Sequence, residues 1–152
     1  MTPEKKLDAV DWQILELLQH NARLSYAEIG RRVGLSLPAA AERVRRLEEA
    51  GVIEGYQARI NLDRIGLPVT VFIQVRVPVD RYPTFKELVS GLSEVVECHH
   101  MTGEAAFILK VVLKSISHLE PLVTQLSQYG QTTSSIVMST YIEKRIISLS
   151  QR

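Results

Sequence analysis

The stretch SYAEIGRRVGLSLPAAAERVRRLEEAG, residues 25–51, holds two helix starts with a stop between them. Ser25 precedes Glu28 by three residues, the spacing of a capping box, and Ile29 and Val33 follow as a buried face. Gly34 ends that helix, because glycine takes a positive φ at no steric cost. Ser36 starts the next, with Pro38 in the first turn, where a missing N–H matters least. Ala40, Val44 and Leu47 then recur on one side. Upstream, Leu7, Val10, Ile14, Leu17 and Leu18 form the stripe of an earlier helix that Asp8 can cap and that ends near Asn21. Three short helices, the last two joined by Gly34-Leu35-Ser36, make a helix-turn-helix pattern.

The charges give that pattern a purpose. Net charge is only +1, so attraction to nucleic acid must come from a local asymmetry. Between Arg31 and Arg46 the chain has five arginines against one acid, Glu42. Arg43 and Arg46 are expected opposite Val44 and Leu47, so the third helix turns an apolar side inward and a cationic side outward. A helix entering a DNA major groove needs this, and the small residues from Ser36 to Ala41 allow close approach to bases. The same charges also suit a solvated helix whose arginines pair with Glu42, Glu48 and Glu49.

After Gly51 the period changes from helical to alternating. A strand is expected over Val52–Ile60 and a hinge over Asn61–Gly66. Val69, Val71, Ile73, Val75 and Val77 then alternate with Thr70, Phe72, Gln74 and Arg76, and Pro78 ends that strand. A helix over Tyr82–Leu92, strands over Val95–Met101 and Phe107–Leu113, a helix over His118–Tyr129 and a strand over Thr132–Ile142 complete the order βαββαβ. That order is ferredoxin-like, an antiparallel sheet with both helices on one face. Nothing remains in the chain to cover the other face, where Phe72, Val137 and Tyr141 are expected, so an obligate homodimer with face-to-face sheets is predicted. The domains are accordingly 1–60, helix-turn-helix with following strand; 61–66, hinge; and 67–152, ligand binding and oligomerisation.

Composition narrows the chemistry. With 152 residues, 45% hydrophobic, the chain is globular; with one cysteine, Cys98, it has no internal disulfide. No signal peptide or membrane span is read, which points to the cytoplasm. The run Glu97-Cys98-His99-His100 invites a metal, but strand alternation sends Cys98 and His100 to one face and His99 to the other. No converging acid, base and nucleophile is found, and no phosphate loop, so neither a catalytic site nor a cofactor is expected.

The runs LDAVDWQILELLQHNARLSYAEIGRRVGL (7–35) and ERVRRLEEAGVIEGYQARIN (42–61), followed by ECHHMTGEAAFILKV (97–111) and TTSSIV (132–137), resemble the Lrp/AsnC, or feast/famine, transcriptional regulators. The resemblance implies an α+β chain, with an N-terminal winged helix-turn-helix domain followed by a ferredoxin-like RAM domain. It implies binding to double-stranded DNA, homodimers that assemble to octamers, and an amino-acid effector held between RAM domains. Carried over, it puts Ser36, Ala39, Ala40 and Arg43 near base edges and Arg31, Arg32 and Arg46 near phosphates. It puts the effector on Met101, Thr102, Gly103, Glu104, Ala105 and Ala106, with Thr132, Thr133, Ser134 and Ser135 opposite. Gly103 lets backbone N–H groups face a carboxylate and the hydroxyls complete its hydrogen bonds; an ordinary hairpin turn reads the same way. Two departures stand out. The helix-turn-helix has Ser36-Leu37-Pro38 where many members have proline directly after the serine, and Ala106 stands where members commonly carry an aspartate. The second leaves open an architectural DNA-binding protein whose RAM domain serves only oligomerisation.

Overall fold

In the computed structural model, which describes residues 6–151, the N-terminal residues fold around helix ends that are closed locally. Helix α1 (Ala9–His20) begins at a reciprocal capping box between Asp8 and Asp11. Helix α2 (Tyr26–Val33) begins at the same device between Ser25 and Glu28, whose carboxyl is held below its usual range first by the Ser25 backbone N–H. Helix α3 (Leu37–Glu49) starts at Ser36, whose hydroxyl accepts from the Ala39 N–H. Ile14, Ile29, Ala40, Val44 and Leu47 form one buried cluster, with Leu7, Val10, Leu18, Leu24 and Val33 packed around it. Five such side chains removed from water are the main stabilisation of so small a bundle.

The strand expected over Val52–Ile60 does not form. Val52 and Ile53 donate their N–H groups to the Leu47 carbonyl and close the end of α3, and residues 54–60 run exposed with no ladder. A strand needs a partner edge, and none is offered here. The tail from Ile142 onward groups with this N-terminal unit, which otherwise ends at Arg59. Gln19 on α1 holds it at both amide atoms: Nε2 donates to the Ile147 carbonyl at 2.8 Å, and the Ile147 N–H donates to Oε1 at 3.0 Å. Arg59 and Glu143 pair in the same unit.

The second compact unit is Ile60–Tyr141. It comprises β1 (Val69–Arg76), α4 (Tyr82–Ser90), β2 (Val95–His100), β3 (Phe107–Leu113), α5 (Leu119–Ser127) and β4 (Gln131–Ile136). The strands pair antiparallel in the order β2-β3-β1-β4. Val71, Ile73, Val75, Phe107, Leu109 and Val111 point to one face and pack with Phe85, Val89, Leu122 and Leu126 of the two helices. Strand β4 stops at Ile136 rather than Ile142. Its partner β1 runs the other way from Val69, and their last paired residues are Val71 and Ile136. Val137, one residue past β4, still donates its N–H to the Thr70 carbonyl at 2.9 Å and shares the uncovered face with Phe72, which is paired with Lys110 and Ser135, whereas Tyr141 lies beyond the sheet.

Candidate nucleic-acid interface and ligand cleft

The turn between α2 and α3 is built by two glycines with different duties. Gly34 sits at φ +74°, the left-handed cap that lets α2 stop, and its N–H returns to the Gly30 carbonyl. Gly30 is needed for contact: a Cβ there would lie 2.5 Å from the Leu35 carbonyl oxygen. The Leu35 N–H in turn donates to the Gly30 carbonyl at 2.8 Å, so the turn is pressed onto α2.

The α3 arginines are not arranged as the charge pattern suggested. Arg43 follows Ala40 by three residues and precedes Leu47 by four, which puts it on the flank of the buried stripe rather than opposite it. Its Nη1 donates to Asp8 Oδ2 at 2.5 Å and to Asp11 Oδ1 at 2.9 Å, tying α3 to the capping box of α1. Those bonds raise the Arg43 pKa and, with the Asp11 backbone N–H, hold Asp8 below the usual carboxylate range. Ala40, expected near base edges, is completely buried. Arg45, counted in the basic cluster but not among the residues carried over to DNA, lies on the outward side with Glu42 and is bound to Glu42 and Glu49, while Arg46 also donates to Glu42. The two guanidiniums pull the Glu42 carboxyl down to about 2. Ser36, Leu37 and Pro38 at the start of α3 are exposed, Ala39 is half-buried, and Arg31 and Arg32 are exposed on α2.

In the second unit, the turn from Met101 to Ala106 is closed by the Met101 N–H on the Ala106 carbonyl at 2.8 Å, with Gly103 at φ +106°. The expected effector residues separate here. Thr133 and Ser135 pair across from Gln74 and Phe72 on the open face, whereas Thr132 and Ser134 pair with Val75 and Ile73, whose side chains enter the helix-covered core. Ala106 is buried in that core, 6% exposed. On the open face a cleft of about 140 Å³ is lined by Gln74, Arg76, Glu104, Ala105, Gln131 and Thr133. Arg76 Nη2 donates to Glu104 Oε2 at 2.6 Å across it. Ala105 and Glu104 of the expected turn line it with Thr133, whereas Gln74, Arg76 and Gln131 were not foreseen. The alternation that put Gln74 and Arg76 on the uncovered face was the available signal.

The Cys98-His99-His100 run divides by register. Cys98 and His100 pair with Leu109 and Phe107 on the helix side, and His99 pairs with Ile108 on the other. His100 stacks against Tyr82 and Phe107, and Glu97 on the open side pairs with Lys110, which holds its carboxyl low. Among the described residues no group of three or more His, Cys, Asp or Glu is placed to hold a metal ion, and no helix is long and apolar enough to cross a membrane.

Comparison with known proteins agrees with both halves. Residues 7–48 match the AsnC-type helix-turn-helix domain and residues 70–147 the Lrp/AsnC ligand binding domain. The HTH-type transcriptional regulator LrpC of Bacillus subtilis is 34% identical over 134 residues, 88% of this chain and 93% of that protein. Its structure superposes with a TM-score of 0.86 over 91% of this chain and 99% of that one. The leucine-responsive regulatory protein of Escherichia coli is 37% identical over 124 residues, 80% of this chain and 76% of that protein. A transcriptional regulator of Neisseria meningitidis, solved as a complex with L-Met, is 30% identical with a TM-score of 0.88 over 96% of this chain and 99% of that one. A capped helix-turn-helix followed by a βαββαβ unit, each matched by its family domain, makes the chain a member of the Lrp/AsnC family of HTH-type transcriptional regulators.

Proposed function

We propose that the chain is a sequence-specific, DNA-binding transcriptional regulator of the cytoplasm, that it acts as a homodimer assembling to an octamer, and that an amino acid bound to its second unit sets its occupancy of DNA. The observation that carries the reading is the outward side of the helix-turn-helix. The exposed start of α3 and the cations Arg31, Arg32, Arg45 and Arg46 share a compact scaffold whose helix ends are all closed. The first turn of α3, through Ser36 and Ala39, approaches bases, and the arginines take phosphates. Arg45 and Arg46 exchange Glu42 for phosphate on binding. The responsive relatives, one named for leucine and one solved with L-Met, support an amino-acid effector. The exposed Phe72 on the uncovered sheet supports a second copy.

The test is a mobility shift on the promoter region upstream of the chain's own gene over a range of salt. Arg45→Ala is expected to weaken binding and to reduce the slope of log K against log salt by about 0.9, the share of one phosphate contact. An unchanged slope would remove Arg45 from the interface. A second reading has one observation in its favour: Ala106, where members carry an acid, is buried among apolar side chains. On that reading the second unit only assembles the protein, and no amino acid gives heat in calorimetry.

A further inference from the structure

The cleft on the open sheet face has more definite chemistry than its family position implies. It lies where β1 ends and β4 begins, Arg76 opposite Gln131, with the Met101–Ala106 turn at its margin. At about 140 Å³ it is smaller than the roughly 300–1,000 Å³ of pockets for drug-sized ligands, so it suits a molecule of a few heavy atoms rather than a nucleotide or a peptide. Its lining carries one full positive charge and one full negative charge, and otherwise neutral polar groups and a methyl.

Resting on the effector reading above, we propose that Arg76 and Glu104 are the specificity-determining pair, and that the ligand is a zwitterionic α-amino acid with a small or polar side chain. The ion pair uses one guanidinium nitrogen and one carboxylate oxygen. An arginine has five N–H donors and a carboxylate two acceptor oxygens, so each partner retains capacity on its far side. A zwitterion laid head to tail against the pair puts its carboxylate on Arg76 and its ammonium on Glu104, and both charges are then met by charge-assisted hydrogen bonds. Glu104 thereby supplies the acid missing at Ala106, from the surface of the turn rather than from its buried root. Gln74, Gln131 and Thr133 are left to face the side chain with amide and hydroxyl groups. A branched apolar side chain would strand those polar groups without partners, which is how such sites discriminate. Gly130 fixes this end of the cleft: a Cβ there would lie 1.9 Å from the Arg76 carbonyl oxygen, so β4 can approach the backbone of Arg76 only with glycine before it.

The experiment is isothermal calorimetry of the full chain with serine, glutamine, leucine and methionine, and with two analogues of serine. Serinamide lacks the carboxylate, and glycerate has a hydroxyl in place of the ammonium. Serine or glutamine is expected to bind more tightly than leucine or methionine, and each analogue to lose roughly tenfold or more. Arg76→Gln and Glu104→Gln are each expected to lose roughly tenfold for the favoured amino acid. Thermal unfolding midpoints close to the parent's will show that both variants are folded, as expected for an exposed pair. Tighter binding of leucine or methionine, or equal binding by parent and both variants, would overturn the assignment and leave the effector reading standing. No heat from any amino acid with the parent would overturn the two together.

Discussion

Replacing Arg43 by alanine separates a role in folding from a role at DNA. In the structure the guanidinium bridges Asp8 and Asp11, and these partners differ in exposure: the Asp8 side chain is 50% exposed and that of Asp11 only 8%. Leaving a buried charge without its partner costs about 3–5 kcal/mol, whereas an exposed pair contributes about 0.2–1 kcal/mol. The Asp8 half belongs to the second class. The Asp11 half lies between the two, because Arg43 is itself 32% exposed and Asp11 keeps the Asp8 N–H at 3.2 Å. The loss expected for Arg43→Ala is therefore about 2 kcal/mol, or roughly 10 °C in the unfolding midpoint of a domain this small. Trp12, the single tryptophan, sits beside Asp11 in α1 and reports on this unit alone when urea unfolding is followed by its fluorescence. In an Asp11→Asn background the same replacement should cost much less, since no charge is left stranded; a coupling of about 1–2 kcal/mol is expected. If Arg43→Ala unfolded at the parent's urea concentration while its DNA affinity fell, the clamp would be wrong and the guanidinium would belong to the interface.

Two further outcomes follow from the same unit. Gly30→Ala forces a methyl to 2.5 Å from the Leu35 carbonyl oxygen, so the helix-turn-helix must open; a loss of about 1–3 kcal/mol in the Trp12-monitored transition is expected, and full stability would show that the turn yields freely. The Tyr56 hydroxyl, pushed up to about 12 by partial desolvation and then by its bond to Glu48, favours the fold while protonated. Its contribution is complete below the ordinary value of 10.0 and disappears as pH rises through about 12, so the alkaline limb of a stability profile should move when Tyr56→Phe removes the titration.

Most of the fold was legible because its signals are local. Asp8, Ser25 and Ser36 each sit at their helix starts, and the alternation from Val69 and the run from Phe107 gave β1 and β3 to within a residue. What failed depends on partners that a single segment does not contain. Alternation over Val52–Ile60 has no neighbouring edge to pair with, and β4 ends where its pairing with Val71 ends, far away along the chain. The arginine error was one of period: Arg43 shares the flank of Ala40 and Leu47, while Arg45 holds the outward position. The cleft was half legible. The Glu104 turn and Thr133 were visible as motifs, but Arg76 reaches Glu104 across 28 residues of chain, and only strand register brings them together. Conversely, Thr132 and Ser134 were neighbours of the right residues on the wrong side of the strand.

The grip of Gln19 on Ile147 has a consequence for the order in which the protein is made. Helix α1 leaves the ribosome well before the backbone it holds, which is 128 residues downstream. Domains generally fold as they emerge, N-terminal first, and here the ligand-binding unit lies wholly between the two parts of the DNA-binding one. The DNA-binding unit is therefore completed only after the ligand-binding unit has emerged. Until Ile147 emerges, the nascent chain has three helices in place and Gln19 still waiting for the backbone it holds.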